Sequence, residues 1–470
     1  FYAFGRVVSG TLSLGQKVKV LGESFTYYDD EDMEFATVTS IGINNTRYHL
    51  PMMQATPGML VALGGVDTRI VKTATIVDMS EQEPFIYKPL NISTRPIIKV
   101  GVEPLNPANL PKMVEGLNAI LKSYPGSAMD VLESGEYQLF GTGELYMDSM
   151  LHDLRRVYGR IEIKVSDPVT PFCETTLETS AIPCFADTPN GQNRLTMIAQ
   201  PMEKGLAQAI EADGVDPQAP VREKIRFFDR FQWTPLAARS LWAYGPTLRG
   251  PNVFLNETLP TNVDQTILQD SKEEVVRGFT WATKEGPLCD EPIRNVKFKL
   301  LDASLASSKI HRSTGQMMPT VRRVCYSSFL MGTPRLMEPV YEAEIMTPLD
   351  CLEAIYEVLK RRRGHVISNK PMPGSPLHRL FVYVPVMDSF GFEVDIRSHT
   401  QGAAFCQCWF HHWSMVPGDP MDESIQLQLL EPAPPQYLAR DFMVKTRRRK
   451  GLQPSVSVSK YLNSEMLASY

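Results

Sequence analysis

Residues 310–345 read IHRSTGQMMPTVRRVCYSSFLMGTPRLMEPVYEAEI. After Ile310 the next six are small or polar, and they run into a segment of helical period in which apolar residues recur at Val321, Val324, Cys325, Phe329 and Leu330. Pro319 suits a first helical turn, where its missing N–H costs nothing, so the helix is expected to start beside it. Gly332 and Pro334 are stop signals. Val340 to Ile345 then alternates apolar with polar, the pattern of a half-buried strand opening a new module. The stretch therefore predicts an exposed tip, a helix and a hinge at Thr333.

Composition bounds what surrounds it. The 470 residues, 43% of them hydrophobic, are enough for several cores and about three or four domains. No window approaches the ~18 to 20 apolar residues of a membrane helix and no secretory leader pattern opens the chain, so a soluble, non-secreted chain without a membrane partner is expected. The seven cysteines are odd in number, without a CxxC, and predict reduced core thiols. A net charge of −5 argues against a nucleic-acid surface over the whole chain and leaves only local contacts.

From the N-terminus, FYAFGRVVSGTLSLGQKVKVLG has hairpin grammar, and further strand patterns to Val77 predict a small β-barrel over residues 1–85. Tyr27 to Asp32 forms an acidic loop, a solvated tip or a dock for a basic partner. Gly10 to Lys17 resembles a phosphate loop only loosely, with Gln16 in the lysine place and no Ser or Thr after Lys17. Residues 86–166 show strand, helix, two strands, helix, strand, the split βαβ or ferredoxin-like order. Residues 334–425 repeat it, their first helix ending in Lys360, Arg361, Arg362 and Arg363 before a Gly364 cap. The largest module, 167–333, lies between, with hinges expected near Pro168 and Thr333. A tail, 426–470, carries a helix ending in Arg447, Arg448, Arg449 and Lys450.

Both basic runs read first as complements to helix dipoles and second as contacts to phosphate or, for the tail run, to an acidic protein face. Catalytic and metal motifs are lacking: no HExxH occurs, Gly141 to Glu144 reads as a turn, His152 as a helix residue, and His411 and His412, adjacent on a strand, are expected on opposite faces.

The string HR..GQ..PT.RR followed by PRLMEP resembles the translocase family of elongation factor G and elongation factor 2. The resemblance implies a multidomain α+β chain: a translation-factor β-barrel, a ferredoxin-like domain, an S5-like fourth domain and a second ferredoxin-like domain. His311, Arg312, Ser313, Thr314, Gly315 and Gln316 would be its contact tip. Ser313-Thr314 replaces the family's glycines, and His311 falls where elongation factor 2 carries its modified histidine. FCETTLETS at 172–180, the acidic loop, Ser313-Thr314 and the tail YLARDFMVKTRRRKGLQPSVSVSKY at 437–461 resemble the family's spliceosomal branch, the GTPases of the U5 small nuclear ribonucleoprotein. That branch implies a nuclear scaffold and conformational relay in splicing. Its partners would be the large U5 core protein, the U4/U6-unwinding helicase and U5 RNA. GTP and magnesium would sit in a G domain that this chain lacks, so no cofactor and no catalysis are expected here. The alternative is a ribosomal translocase of the elongation factor 2 type.

Overall fold

The alternation at Val340 to Ile345 is part of a strand of 15 residues, Pro334–Pro348, the spine of a computed structural model that describes all residues except 24, 26–31, 69, 82–83, 88–93, 133–134, 214, 218, 425–432 and 468–470. One edge of the spine pairs first with Cys173–Thr176 and then with Leu377–Pro385; the other pairs with Phe405–Met415. With His365–Pro371 outside Leu377–Pro385, the last module has the 4-1-3-2 strand order of a ferredoxin-like unit. Helices Leu352–Arg361 and Phe392–His399 cover one face, burying Ile355, Val358, Leu359, Phe392 and Ile396 against Ala343, Ile345, Val382 and Cys406.

The second module has the same order: Ile98–Pro104 lies between Tyr137–Gly141 and Ile163–Val165, with Ala128–Val131 outermost. Met113, Leu117 and Ile120 of helix Leu110–Ser123 meet Met147, Met150 and Leu154 in its core. Tyr341 and Val386 of the last module join that core, and the Tyr341 hydroxyl donates to the Thr142 carbonyl at 2.9 Å. The two split units are thus packed together.

The middle module is a five-stranded sheet ordered Cys184–Asp187, Arg194–Pro201, Val296–Ser304, Asn252–Asn256, Leu241–Gly245. Helices Lys272–Lys284 and Thr314–Leu330 share its core through Val275, Phe279, Val321, Val324 and Phe329. They approach so closely at Gly278 that a Cβ there would lie 2.7 Å from Val321 Cβ. The second of these helices starts at Thr314, not beside Pro319, which sits inside it. Its missing N–H leaves the Gly315 carbonyl without an i+4 donor, a loss tolerated one turn from an exposed end.

Two expected joints are bridged. At Thr333, whose φ is +53°, the carbonyl accepts from Leu177 N at 3.1 Å, and Lys99 and Val169 exchange backbone hydrogen bonds of 2.9 and 2.8 Å beside Pro168. Neither point is a free hinge. In the first module the described strands form three small sheets around Val18, Val20, Ile41, Val61 and Leu63, and no ring of strands closes among the described residues. The expected barrel is therefore an open arrangement there. Except for Asp32, the acidic loop at 27–32 falls outside the described residues.

The tail is built into the middle module. Its helix, Leu438–Arg449, buries Ala439 and Met443 in the module's core, and Leu462 and Met466 pack on Cys184 and Met331.

Candidate interaction site

Three segments meet at the end of the middle sheet: the turn Thr188 to Asn193, the junction of helices Gln265–Asp270 and Lys272–Lys284, and residues 305–316. A buried asparagine organises the first contact. Asn193 Oδ1 accepts from Ala306 N at 2.8 Å, and its Nδ2 donates to the His311 carbonyl at 2.9 Å. Asn190 adds a second donor to that carbonyl at 3.0 Å, and its backbone N–H donates to Gln316 Oε1 at 3.2 Å. The PNGQN turn at 189–193 was not among the expected site residues. Its asparagines signal only a turn until the partner segment, over a hundred residues away, is in place.

The tip expected at 311–316 is presented with one exception. Ile310, His311, Ser313, Thr314 and Gly315 are exposed and Gln316 is half-buried. Arg312 is only 6% exposed: its guanidinium turns inward and donates to the Ile267 carbonyl and Ser271 Oγ, both at 2.8 Å. It ties the tip to the helix junction, and as a contact residue it is corrected to a bracket. What the tip offers is an imidazole, two hydroxyls and an aliphatic side chain on a fixed backbone, a surface for contact.

The basic runs divide in the same way. Arg363 takes the left-handed φ of +53° assigned by sequence to Gly364, and is held there by Glu338 through bonds of 2.8 and 2.9 Å and by Asp388 at 2.6 Å. Burial raises the Glu338 carboxyl's pKa and the arginine opposes it. Gly364 is needed for space instead, since a Cβ would meet Leu359 Cδ2 at 2.7 Å. Arg362 donates to Asp395 and to the Asp388 and Phe390 carbonyls. Arg361 is exposed, with no partner among the described residues.

In the tail, Arg447 is buried and donates to the carbonyls of Leu288, Gln453 and Ser455. Lys450 bonds the carbonyls of Cys289 and Asp290 and pairs with Glu291 at 2.7 Å. Arg448 and Arg449 are exposed and unpaired among the described residues. From the other side of the 288–291 loop, Glu174 of the FCET string accepts the N–H groups of Leu288, Cys289 and Glu291 at 2.8, 2.8 and 3.2 Å. Burial pushes its carboxyl up to about 7 against those three bonds. The tail, the loop and the first strand of the middle module are one interlocked node. The tip helix joins it through Arg323, which donates to the Tyr461 carbonyl at 3.3 Å and to Asn463 Oδ1 at 2.7 Å.

His411 and His412 overturn a geometric expectation. A bulge opposite Val340 and Tyr341 leaves His411 without a cross-strand partner and brings both rings to one side, Nδ1 to Nδ1 at 2.8 Å. No group of three or more His, Cys, Asp or Glu side chains able to hold a metal occurs among the described residues. Gly10 to Lys17 is followed by strand Lys17–Leu21 and not by a helix, so it does not fit a phosphate loop. No described helix is long and apolar enough to cross a membrane.

Two split βαβ units flanking a five-stranded middle sheet with a presented tip define an elongation factor G-like protein, and the chain belongs to that family. Residues 216–333 match elongation factor G, domain IV, and residues 335–424 match the elongation factor G C-terminus. Within it, the chain is similar from end to end to particular splicing proteins. It is 53% identical over 469 residues, 99% of its length, to the 110 kDa U5 small nuclear ribonucleoprotein component CLO of Arabidopsis thaliana, covering 48% of that protein. The 109 kDa U5 component GFL of the same plant and the pre-mRNA-splicing factor cwf10 of Schizosaccharomyces pombe are each 53% identical, over 470 and 471 residues. The chain spans about half the length of these relatives.

Proposed function

We propose that this chain is a non-catalytic part of a U5 small nuclear ribonucleoprotein component that acts in pre-mRNA splicing in the nucleus, as a scaffold and conformational relay. The observation that carries the reading is the 53% identity along 99% of the chain to a protein named as a U5 component. Such identity includes the tail, whose Arg447, Lys450 and Tyr461 are built into the module bearing the tip. In this reading the tip, Ile310 to Gln316, and the exposed Arg361, Arg448 and Arg449 face partners of the particle: the large core protein, the U4/U6-unwinding helicase and U5 RNA. GTP and magnesium belong to a domain outside this chain, and the packed split units pass its state to the tip.

The test is capture of the tagged chain from nuclear extract, with sequencing of the bound RNA and mass spectrometry of the bound proteins. Enrichment of U5 RNA with the core proteins is the expected result. Enrichment of ribosomal RNA without U5 would overturn the splicing reading in favour of a translocase.

A further inference from the structure

The arginines singled out by sequence are largely committed inside the protein; three others are not. Helix Val221–Asp229 turns Phe227, Phe228 and Lys224 inward, the lysine donating to the Pro217 carbonyl. Its outer face carries Arg222 and Arg226, and Arg230 follows at the cap, all exposed. Four-residue steps on a helix place successive arginines about 6 Å apart along the axis and about 40° apart around it, so the three form one stripe. Among the described residues none of them has a hydrogen bond or an ion pair, whereas Arg312, Arg362, Arg363 and Arg447 each make two or more bonds. Glu223 and Asp229 share the outer face without pairing to them. A fourth unpaired arginine, Arg239, ends helix Pro235–Arg239, which packs against the first.

We propose that this stripe binds the phosphate backbone of an RNA strand. The inference rests on the ribonucleoprotein reading above and names a contact for it. Helical spacing puts no aliphatic or aromatic side chain between the three arginines, so the stripe lacks the apolar centre of a protein interface. Guanidinium forks suit phosphate oxygens, and their regular step suits a repeating anion. Such contact positions RNA without reading its sequence.

The experiment is fluorescence anisotropy of a labelled single-stranded RNA with the full chain, titrated at several salt concentrations. Three phosphate contacts at about 0.7 each make the wild-type affinity fall about 20-fold more than that of Arg222→Gln/Arg226→Gln/Arg230→Gln between roughly 50 and 200 mM salt. The all-lysine variant keeps the wild-type slope. A control with Lys17→Gln, Lys112→Gln and Lys370→Gln changes net charge equally at exposed sites and also keeps it. Exposed, unpaired arginines contribute little to the core, so the melting temperature stays unchanged and the variant is testable. The proposal is overturned if the wild type does not bind the RNA at low salt, if the glutamine variant keeps the wild-type slope, or if the control loses as much. Capture of U5 RNA from extract by a chain whose stripe variant keeps its slope would remove this inference and leave the splicing reading standing.

Discussion

Replacing Arg312 with alanine tests whether the tip is an appendage or part of the middle module. The side chain is 6% exposed and makes two 2.8 Å bonds, to the Ile267 carbonyl and to Ser271 Oγ, with a third of 3.4 Å to the Ser307 carbonyl. Removing the charged donor takes one partner from each acceptor, while Ser271 Oγ still donates to the Ile267 carbonyl at 3.2 Å. At about 1.5–3 kcal/mol for each bond to a charged group, the gross loss is about 3–6 kcal/mol. Arg312 Nε has no partner of its own, and that desolvation is relieved by the same change. The net expectation is about 3 kcal/mol, or roughly 6–12 °C in the unfolding transition of a module of this size. Differential scanning calorimetry reads it directly. Arg312→Lys, which restores one charge but not the fork, should recover only part of the loss. A variant that melts with the wild type while losing partner binding would refute the bracket and return Arg312 to the exposed tip.

Arg363→Ala strands Glu338, which is 3% exposed, and should cost about 3–5 kcal/mol in urea unfolding; a neutral result would mean that water reaches the carboxylate. Gly278→Ala would stabilise an ordinary helix interior, but here the added methyl meets Val321 Cβ at 2.7 Å and the Met318 carbonyl at 3.0 Å, so a loss of about 1–3 kcal/mol is expected by the same assay. Glu174 is raised from 4.5 to about 7 in the folded state, so between those values the unfolded chain has released a proton that the folded one retains. Stability should therefore fall as pH rises from about 4.5 to 7, by up to about 3 kcal/mol at 1.36 kcal/mol per unit, and Glu174→Gln should remove that slope. Urea titrations across this range check it, and a slope unchanged in the variant would assign the titration elsewhere.

Periodicity exposed the split units because each segment declares itself: Leu110 to Ser123 repeats every three or four residues, and Val340 to Ile345 every two. The spine strand is expected from sequence only from Val340, where the alternation starts after the stop signal at Pro334; in the structure Pro339 lies within it, opposite Trp413 next to a bulge where the ladder tolerates it. Cationic runs were harder. Nothing in RRR distinguishes Arg362, Arg363 and Arg447 from Arg361 and Arg448, since their partners at 388, 395, 338 and 288 lie tens of residues away or more. The histidine pair failed for a local reason: alternation holds for an unbroken strand, and a bulge inserts the residue that cancels it. Tail residues 452–467 have no long periodic pattern, and what places them is the surface they cover, Cys184, Met331 and Arg323.

The spine strand has a mechanical meaning. At about 3.3 Å per residue, its 15 residues make a rod of about 50 Å. Its first turn of ladder belongs to Cys173–Thr176, and the rest belongs to the last module. A torque on the last module is therefore loaded as shear across backbone hydrogen bonds, with no slack loop to absorb it. Such a coupling would act like a keyed shaft, whose four-residue key, from Pro334 to Met337, is the shortest of the three ladders on the rod.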